Sequence, residues 1–307
     1  MNQYKPEGSL IRTDKNREYI STYEGLEEAM ERGIILEGIA AMADHGFNLY
    51  LNLGGIRARM PRDEVSYGET IKDIAILTRV GKPVCFKVIG FERTAAGERV
   101  ALLSRRAAQR ECYENYISTL TPGDIIPTKI THLESFGAFV DSGCGITSLL
   151  SIDCISVSRI AHPSARLAVG DMIFTVVKSI DERGRIYVSE RELLGSWEEN
   201  AALFSEGETV RGIIRSVESY GVFVELMPNL AGLAEFREDV CVGQTAAVFI
   251  KSIIPEKMKI KLIIIDTHDE PLVKTPLEYF VDTESVRHMD EWIYSPKGCK
   301  KVVTTVF

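Results

Sequence analysis

The stretch that decides the fold runs from Thr128 to Asp141 and reads TKITHLESFGAFVD. It is the clearest part of a phrase that the chain repeats three times with decreasing fidelity. The full copy spans residues 123–191, a looser copy begins at Gly207, and the loosest begins at Gly33. A repeat of this length indicates one structural unit that is used three times.

Each block predicts a small closed β-barrel. The apolar and alternating runs give about five short strands in about 65 residues, with glycine turns and one longer middle connection. A sheet this small leaves open edges unless it closes on itself, and the five-stranded oligonucleotide-binding (OB) barrel fits the length. Gly137 and Gly221 lie inside strand patterns, where glycine marks a sharp bend or a close backbone approach.

The expected architecture is therefore all-β, with tandem five-stranded OB barrels joined by short helices. The predicted segments are a lead-in and helix at 1–32, barrels at 33–104, 123–191 and 207–266, linker helices at 105–122 and 192–206, and a small mixed appendage at 267–307. Ser21 and Glu24 have capping-box spacing at the first helix, and Gly33 suits its end. A helix is expected at 283–294, and the apolar run at 260–265 predicts a buried strand.

Composition limits the function classes. The chain has 307 residues, a formal net charge of −8 and a pI near 5.4, which argues against coating nucleic acid by charge alone. It is compatible with a local basic groove, whose binding would be weak and sensitive to salt. No apolar run approaches the ~18 residues that span a bilayer, so no membrane partner is expected. The six cysteines form no CxxC pair, which favours reduced thiols in the cytoplasm.

Motifs for cofactor chemistry are missing from the sequence. It contains no GxxxxGK loop and no GxGxxG fingerprint, and its five histidines stand singly without ligand spacing. No cofactor, no metal and no catalytic residue are therefore expected, and the chain is interpreted as a non-enzymatic protein.

The second block resembles the S1 RNA-binding repeat. The resemblance rests on Phe136–Asp141, Pro163, Val169–Asp171, Ile180–Asp181 and Arg185–Arg191. The third block matches it moderately through Tyr220–Glu225 and Ala231–Leu233, and the first matches weakly through Leu53–Ile56 and Leu103–Arg106. Together the three blocks cover roughly two thirds of the chain.

The resemblance implies a set of RNA-binding residues. In the family, two aromatics of the bent strand, a downstream histidine and an Asp/Arg pair near the last hairpin hold single-stranded RNA. The matching residues in the second block are Phe136, Phe139, Asp181 and Arg185, with Ser151 at the histidine position.

The other two blocks match the family's site less well. The third block supplies Tyr220, Phe223 and Lys259, with Glu235 at the histidine position and Pro255 at the aspartate position. In the first block, Phe47 and Tyr50 lie near the motif in an undefined phase, and Arg57, Arg59 and Arg62 are candidate phosphate contacts.

Structural interpretations stand beside these functional ones. Phe139 is equally well explained as a core residue, Arg185 as half of a surface ion pair with Asp181, and the three arginines as a solvated edge.

The predicted function is binding of single-stranded RNA, and the resemblance implies a role near the ribosome or in mRNA handling. Ribosomal or RNA-processing proteins are expected as further partners. The alternatives are an OB module for protein interaction whose RNA face has decayed, and, more distantly, a regulatory part of a nuclease assembly.

Overall fold

The computed structural model of the protein describes residues 4–68, 72–269 and 277–307. Residues 1–3 of the predicted lead-in, 69–71 of the first block and 270–276 of the predicted appendage lie outside this description. The described residues form three closed barrels of five strands each, which confirms the predicted fold class. No helix in these described ranges is long and apolar enough to cross a membrane.

Two short helices precede the first barrel, one lies within it, and one follows it. Its strands are β1 (Leu36–Ala43), β2 (Leu49–Leu53), β3 (Ile56–Met60), β4 (Pro83–Arg93) and β5 (Arg99–Ser104), in the order β1-β2-β3-β5-β4. The helices are α1 (Asp14–Ile20), α2 (Tyr23–Glu31), α3 (Asp73–Leu77), which lies between β3 and β4, and α4 (Arg105–Asn115).

The predicted cap of helix α2 was one residue early. The hydroxyl of Thr22, not that of Ser21, accepts the backbone N–H of Gly25, while Ser21 ends helix α1. The predicted stop is confirmed, since Gly33 follows the helix with a φ of 64° and donates to the carbonyl of Met30. Leu26 and Ala29 then turn their face of α2 into the core of the first barrel.

The second barrel carries the clear copy of the repeat. Its strands are β6 (Ile125–Glu134), β7 (Gly137–Asp141), β8 (Thr147–Ser151), β9 (Met172–Ile180) and β10 (Ile186–Ser189), in the order β10-β8-β7-β6-β9. The linker helix expected at 192–206 is shorter than predicted. The segment forms a 3-10 turn at Arg191–Leu194 and then one short helix, α5 (Trp197–Ala201). Gly195 separates the two with a φ of 80°, and Ser196 and Glu199 form the capping box of α5.

The third barrel repeats the topology of the first. Its strands are β11 (Thr209–Glu218), β12 (Gly221–Met227), β13 (Leu230–Ala234), β14 (Thr245–Ile254) and β15 (Lys259–His268), in the order β11-β12-β13-β15-β14. The predicted burial of the strand at 260–265 is confirmed for one face only, that of Ile260, Leu262 and Ile264. Strand β15 alternates instead, with Ile263 46% and Ile265 54% exposed, because only one of its faces meets the barrel core.

The helix predicted at 283–294 does not form. The carboxylate of Asp282 accepts the N–H of Glu284 and the hydroxyl of Ser285, which stabilises a turn, and the chain then enters a two-stranded hairpin. The hairpin pairs β16 (Glu291–Ile293) with β17 (Thr304–Val306). Trp292 and Tyr294 pack into the core of the third barrel, while other residues of the same segment, Tyr279 and Phe307 among them, pack on a cluster of the second barrel.

The chain divides into two compact units. The first comprises Met1–Leu120, Pro127–Lys129 and Asp141–Thr147, and the second comprises Thr121–Ile126, Ile130–Val140 and Ser148–Phe307.

A buried ion pair ties the N-terminal segment into the first unit. The guanidinium of Arg105 donates to both carboxylate oxygens of Glu7, at 2.6 and 3.1 Å, and both side chains are buried. Glu7 also accepts from Arg79 at 3.1 Å and from the backbone of Cys85 at 3.1 Å. Burial favours the protonated form, but the charge and hydrogen bonds of Arg105 prevail and lower the pKa of Glu7.

The second unit contains a different buried charge. Glu225 accepts two hydrogen bonds from Arg166, at 2.9 and 2.6 Å, and two more from Arg215, at 2.8 and 3.0 Å. Arg166 lies in the connection between β8 and β9, and Glu225 lies on β12. The pair therefore links the second-barrel part of this unit to the third barrel by a bidentate, desolvated contact.

Replacing Arg105 by methionine should strongly destabilise the first unit. The variant keeps the side-chain volume but leaves the Glu7 carboxylate buried without its main counter-ion, which costs about 3–5 kcal/mol in comparable sites. Denaturant unfolding followed by circular dichroism measures the loss. Arg106→Met is the matched control, because Arg106 is the exposed neighbour on α4; equal stability of the two variants would contradict the assignment.

Glu190 should make the stability of the parent fall as pH rises. Burial raises its pKa from 4.5 to about 8, and its Oε1 accepts the hydroxyl of Tyr279 at 3.2 Å. Because the folded-state pKa lies above the unfolded value, unfolding releases a proton between about pH 4.5 and pH 8, and the free energy of unfolding decreases across that window. Glu190→Gln should flatten this part of the profile, whereas Glu198→Gln, at an exposed site on α5, should leave the profile of the parent unchanged.

Candidate nucleic-acid interface

Two glycines allow the bent strands to pass close to their neighbours. A Cβ atom added at Gly137 would lie 2.3 Å from the carbonyl oxygen of Leu150, and one added at Gly221 would lie 2.5 Å from that of Ala234. No side chain fits at either point. The aromatic residue before each glycine, Phe136 or Tyr220, therefore sits at the bend and projects from the barrel.

The second barrel presents a cluster of three rings at this bend. Phe136 is 51% exposed, Phe139 is half-buried, and their ring centres lie 6.0 Å apart with the planes at 87°. The ring of His132, on β6, lies 6.4 Å from that of Phe139 with the planes only 21° apart. The cluster offers an exposed aromatic edge and face rather than a closed core contact.

His132 is the residue that the sequence interpretation missed. Its side chain is 62% exposed, and its Nε2 lies 2.8 Å from the carboxylate of Glu134. The signal in the sequence is its place four residues before Phe136, where the third block has Ser216. Only the pairing of β6 with the bent strand brings that place beside Phe139.

The third barrel repeats the ring pair almost unchanged. Tyr220 is 67% exposed, Phe223 is half-buried, and their ring centres lie 6.1 Å apart with the planes at 87°. Lys259 is exposed and begins β15 directly after the turn at Pro255–Met258. Two barrels thus hold the same pair of perpendicular rings at equivalent bends.

Asp181 and Arg185 form the last hairpin of the second barrel. The carboxylate of Asp181 accepts the backbone N–H groups of Arg185 and Arg183, each at 2.9 Å, and the Nε of Arg185 at 2.7 Å. The backbone N–H of Arg185 and then its guanidinium lower the pKa of Asp181. Asp181 therefore builds the turn and orients the arginine, whose side chain is 63% exposed.

The position of the family's histidine carries no ring in this chain. The hydroxyl of Ser151 donates to the carboxylate of Asp153 at 2.6 Å, and this bond lowers the pKa of Asp153. In the third barrel the same position is Glu235, which is exposed. Both barrels therefore place a carboxylate near the end of the strand that follows the bent one.

The structure settles the phase of the first barrel. Tyr50 pairs with Met42 next to a β-bulge, as Phe223 pairs with Ser216 next to a bulge in the third barrel, so Tyr50 is the counterpart of Phe223. Its hydroxyl donates to Asp44 at 3.2 Å. Phe47 is held differently, with a φ of 59° and the guanidinium of Arg62 over its ring at 5.3 Å.

The three arginines of the first barrel all face carboxylates. Arg57 pairs with Glu98, Arg59 with Glu92 at 2.9 Å, and Arg62 with Asp73 at 2.6 Å. In each pair the carboxylate compensates the charge of the arginine, and both side chains remain partly exposed to water. The structure thus brings these candidate phosphate contacts together with counter-ions that the sequence pattern did not indicate.

Among residues 4–68, 72–269 and 277–307, no group of three or more His, Cys, Asp and Glu side chains is placed to hold a metal ion. All six cysteines are free, and four of them are buried.

Comparison with known proteins identifies the second barrel. Residues 119–191 match the family described as the S1 RNA binding domain. The chain is 26% identical over 283 residues to small ribosomal subunit protein bS1 of Rhizobium meliloti, covering 86% of this chain and 48% of that protein. It is 28% identical over 237 residues to the bS1 protein of Staphylococcus saprophyticus, covering 75% of this chain and 58% of that protein.

The chain spans about half the length of the curated relatives it matches. Among solved structures, a multidomain protein with nucleic acid binding domains from Streptococcus pneumoniae aligns at 14% identity, covering 76% of this chain and 73% of that one. Its TM-score is 0.26, and a likeness at that level carries no inference for this protein.

Substituting Gly137 by alanine should destabilise the second barrel. The added methyl group meets the backbone of Leu150, which cannot rotate away as a side chain would, so we expect a loss of about 1–3 kcal/mol or more. Gly90→Ala is the matched control, since a Cβ at Gly90 meets nothing within 4 Å. Denaturant unfolding should separate the two, and a Gly137→Ala variant as stable as Gly90→Ala would show that the close approach is not required.

Proposed function

We propose that this chain, which carries an S1 RNA-binding domain at residues 119–191, is a non-enzymatic single-stranded RNA-binding protein that works with mRNA on the ribosome. The observation that carries the proposal is the exposed ring cluster of Phe136, Phe139 and His132. The same barrel also carries the exposed hairpin residue Arg185. The same ring pair recurs in the third barrel as Tyr220 and Phe223.

Open rings at right angles suit unpaired nucleotides. A base stacks on an exposed ring face, and each such contact contributes about 1–3 kcal/mol with little dependence on sequence. Duplex RNA hides its base faces, so this kind of surface favours single strands. Phe136 offers the more exposed ring. The ring of Phe139 packs edge-to-face against it and lies nearly parallel to the ring of His132.

His132 supplies the ring that Ser151 lacks. The family places its histidine after the bent strand, whereas here the imidazole comes from the strand before it and stacks nearly parallel to Phe139. We therefore count His132 with Phe136 and Phe139 as a base-contacting residue, and Arg185 as the cation that follows the backbone, held in place by Asp181.

The second barrel is expected to bind most tightly. The third keeps its rings and Lys259, but Ser216 stands at the place of His132, and Pro255 replaces the aspartate that fixes the hairpin arginine. The net charge of −8 keeps each contact weak and salt-sensitive. Weak modules on one chain gain affinity when they engage the same strand, because the second contact forms at a high effective concentration.

The ribosomal part of the proposal rests on the sequence relatives. Both relatives described above are small ribosomal subunit proteins, matched over most of this chain. A role in translation also assigns the protein to the cytoplasm, with the ribosome as a partner.

RNA binding should depend on the ring cluster. In a fluorescence-anisotropy titration with a short labelled oligouridylate at low salt, Phe136→Ala, Phe139→Ala and His132→Ala should each weaken binding by about tenfold, which corresponds to the loss of one stacked base. Arg185→Ala should weaken binding less and should reduce the slope of log K against log salt by about 0.7, the value for one phosphate of a single strand.

The controls keep the barrel and its charge. Met172→Ala removes an exposed apolar side chain from β9 of the same barrel and should bind like the parent. A duplex of the same length should bind more weakly than the single strand. Ring variants that bind like Met172→Ala, or a parent that binds no RNA at low salt, would reject the proposal and leave the protein-interaction alternative, which nuclease-resistant partners in a pull-down would support.

A further inference from the structure

A cleft of about 610 Å³ lies in the first unit. Its walls come from the N-terminal segment, helix α1, the residues that lead into β1, and single side chains of β4 and α4. A cavity of this volume is within the range of small-molecule sites. It shares no residue with the ring clusters of the second and third barrels.

The charge of the cleft opposes that of the whole chain. Four cationic side chains line it, and they are Lys5, Lys15, Arg32 and Lys87. Glu111 is the single carboxylate among the lining residues that the structure describes. A local excess of positive charge in a chain of net charge −8 favours an anionic ligand.

Two of the cations are held in place and two are available. Lys87 pairs with Glu111, and Arg32 pairs with Glu28 at 2.5 Å while also donating to the hydroxyl of Tyr19 at 3.2 Å. Lys5 and Lys15 are exposed, and neither has a carboxylate within 4.0 Å in the described part of the chain. They are the side chains that an incoming anion would meet first.

The wall of the cleft is fixed by hydrogen bonds to β1. The buried amide of Asn16 donates to the carbonyl of Glu37 at 3.0 Å and accepts the N–H of the same residue at 2.8 Å, which locks helix α1 to the strand. Glu37 in turn accepts the N–H groups of Gly8 and Leu10, at 3.0 and 2.8 Å, and so holds the N-terminal segment. The backbone wall of the cleft is therefore preformed, and only the side chains of Lys5 and Lys15 remain to be ordered by a ligand.

Apolar groups complete the lining. Leu10, Ile34 and Ile35 are half-buried in the cleft, and the buried ring of Tyr19 lies among them. A bare inorganic anion would not use such a surface, whereas a ligand with a flat organic part and a charged end would use both.

From the cation excess and the apolar lining, we infer that this cleft binds a phosphate-bearing ligand of nucleotide size. Its phosphate lies between Lys5 and Lys15, and its base or sugar rests on Leu10, Ile34 and Ile35. The same chemistry is offered by a free nucleotide and by a terminal nucleotide of RNA, and the test separates these sources. The inference does not depend on RNA binding by the second barrel.

The test is a calorimetric titration of the full chain with ADP, with adenosine and with a short oligouridylate. ADP should bind saturably, adenosine should bind at least about tenfold more weakly because it lacks the charged hydrogen-bond acceptor, and the double variant Lys5→Glu/Lys15→Glu should lose ADP binding by at least about tenfold. The double variant Lys297→Glu/Lys300→Glu makes the same charge change at exposed C-terminal lysines and should bind like the parent.

The ring variant Phe136→Ala keeps this test independent of the proposed function. ADP binding that survives Phe136→Ala but not Lys5→Glu/Lys15→Glu supports a free-nucleotide site, whatever the RNA result. Absent ADP binding, together with oligouridylate binding that only the cleft variant weakens, supports an RNA terminus as the source. If ADP does not bind and the cleft and control variants treat oligouridylate alike, the inference is overturned.

Discussion

The second and third barrels depend on the close passage of the bent strand over the end of its neighbour. At Gly137 and Gly221 the backbones approach so closely that even a methyl group would overlap a carbonyl oxygen. In these two barrels the strand turns sharply at the glycine, and the turn leaves the residue before the glycine outside the barrel. The aromatic rings of Phe136 and Tyr220 are thus exposed because of barrel closure itself.

The acidic residue five positions after the exposed ring of each bent strand, Asp141 or Glu225, has a structural role. Asp141 accepts the N–H groups of Glu7, Gly143 and Gly145 at 2.7–2.9 Å, and burial raises its pKa to about 6. Its counterpart Glu225 holds Arg166 and Arg215. In each case the buried carboxylate binds a segment that lies earlier in the chain, and it is hidden from any phosphate. The acids of the repeat therefore organise the units rather than weaken an anion-binding face.

The fold was predictable because local and global signals agree in the strands. The repeated phrase, the strand glycines and the block length all indicated OB barrels, and each is a property of neighbouring residues. The errors arose where tertiary contacts decide. The exposed face of β15 looks apolar enough to be buried, and the turn at Asp282 overrides helix propensity at 283–294. His132 became visible as part of the ring cluster only when β6 lay beside the bent strand, and the counter-ions of Arg57, Arg59 and Arg62 are all distant in sequence or on another element.

The last hairpin carries opposite charges in the first and second barrels, which makes the two repeats unequal in the proposed binding of RNA. In the second barrel, Asp181 donates its N–H to the carbonyl of Arg185 and accepts the N–H of Arg185 with its side chain. Thr94 and Glu98 make the same two bonds in the first barrel. The arginine position is therefore a glutamate there, and that glutamate pairs with Arg57. Glu98 in place of the arginine removes a cation that would contact the RNA backbone, and it also neutralises Arg57. A repeat can therefore keep its barrel while its affinity for phosphate declines.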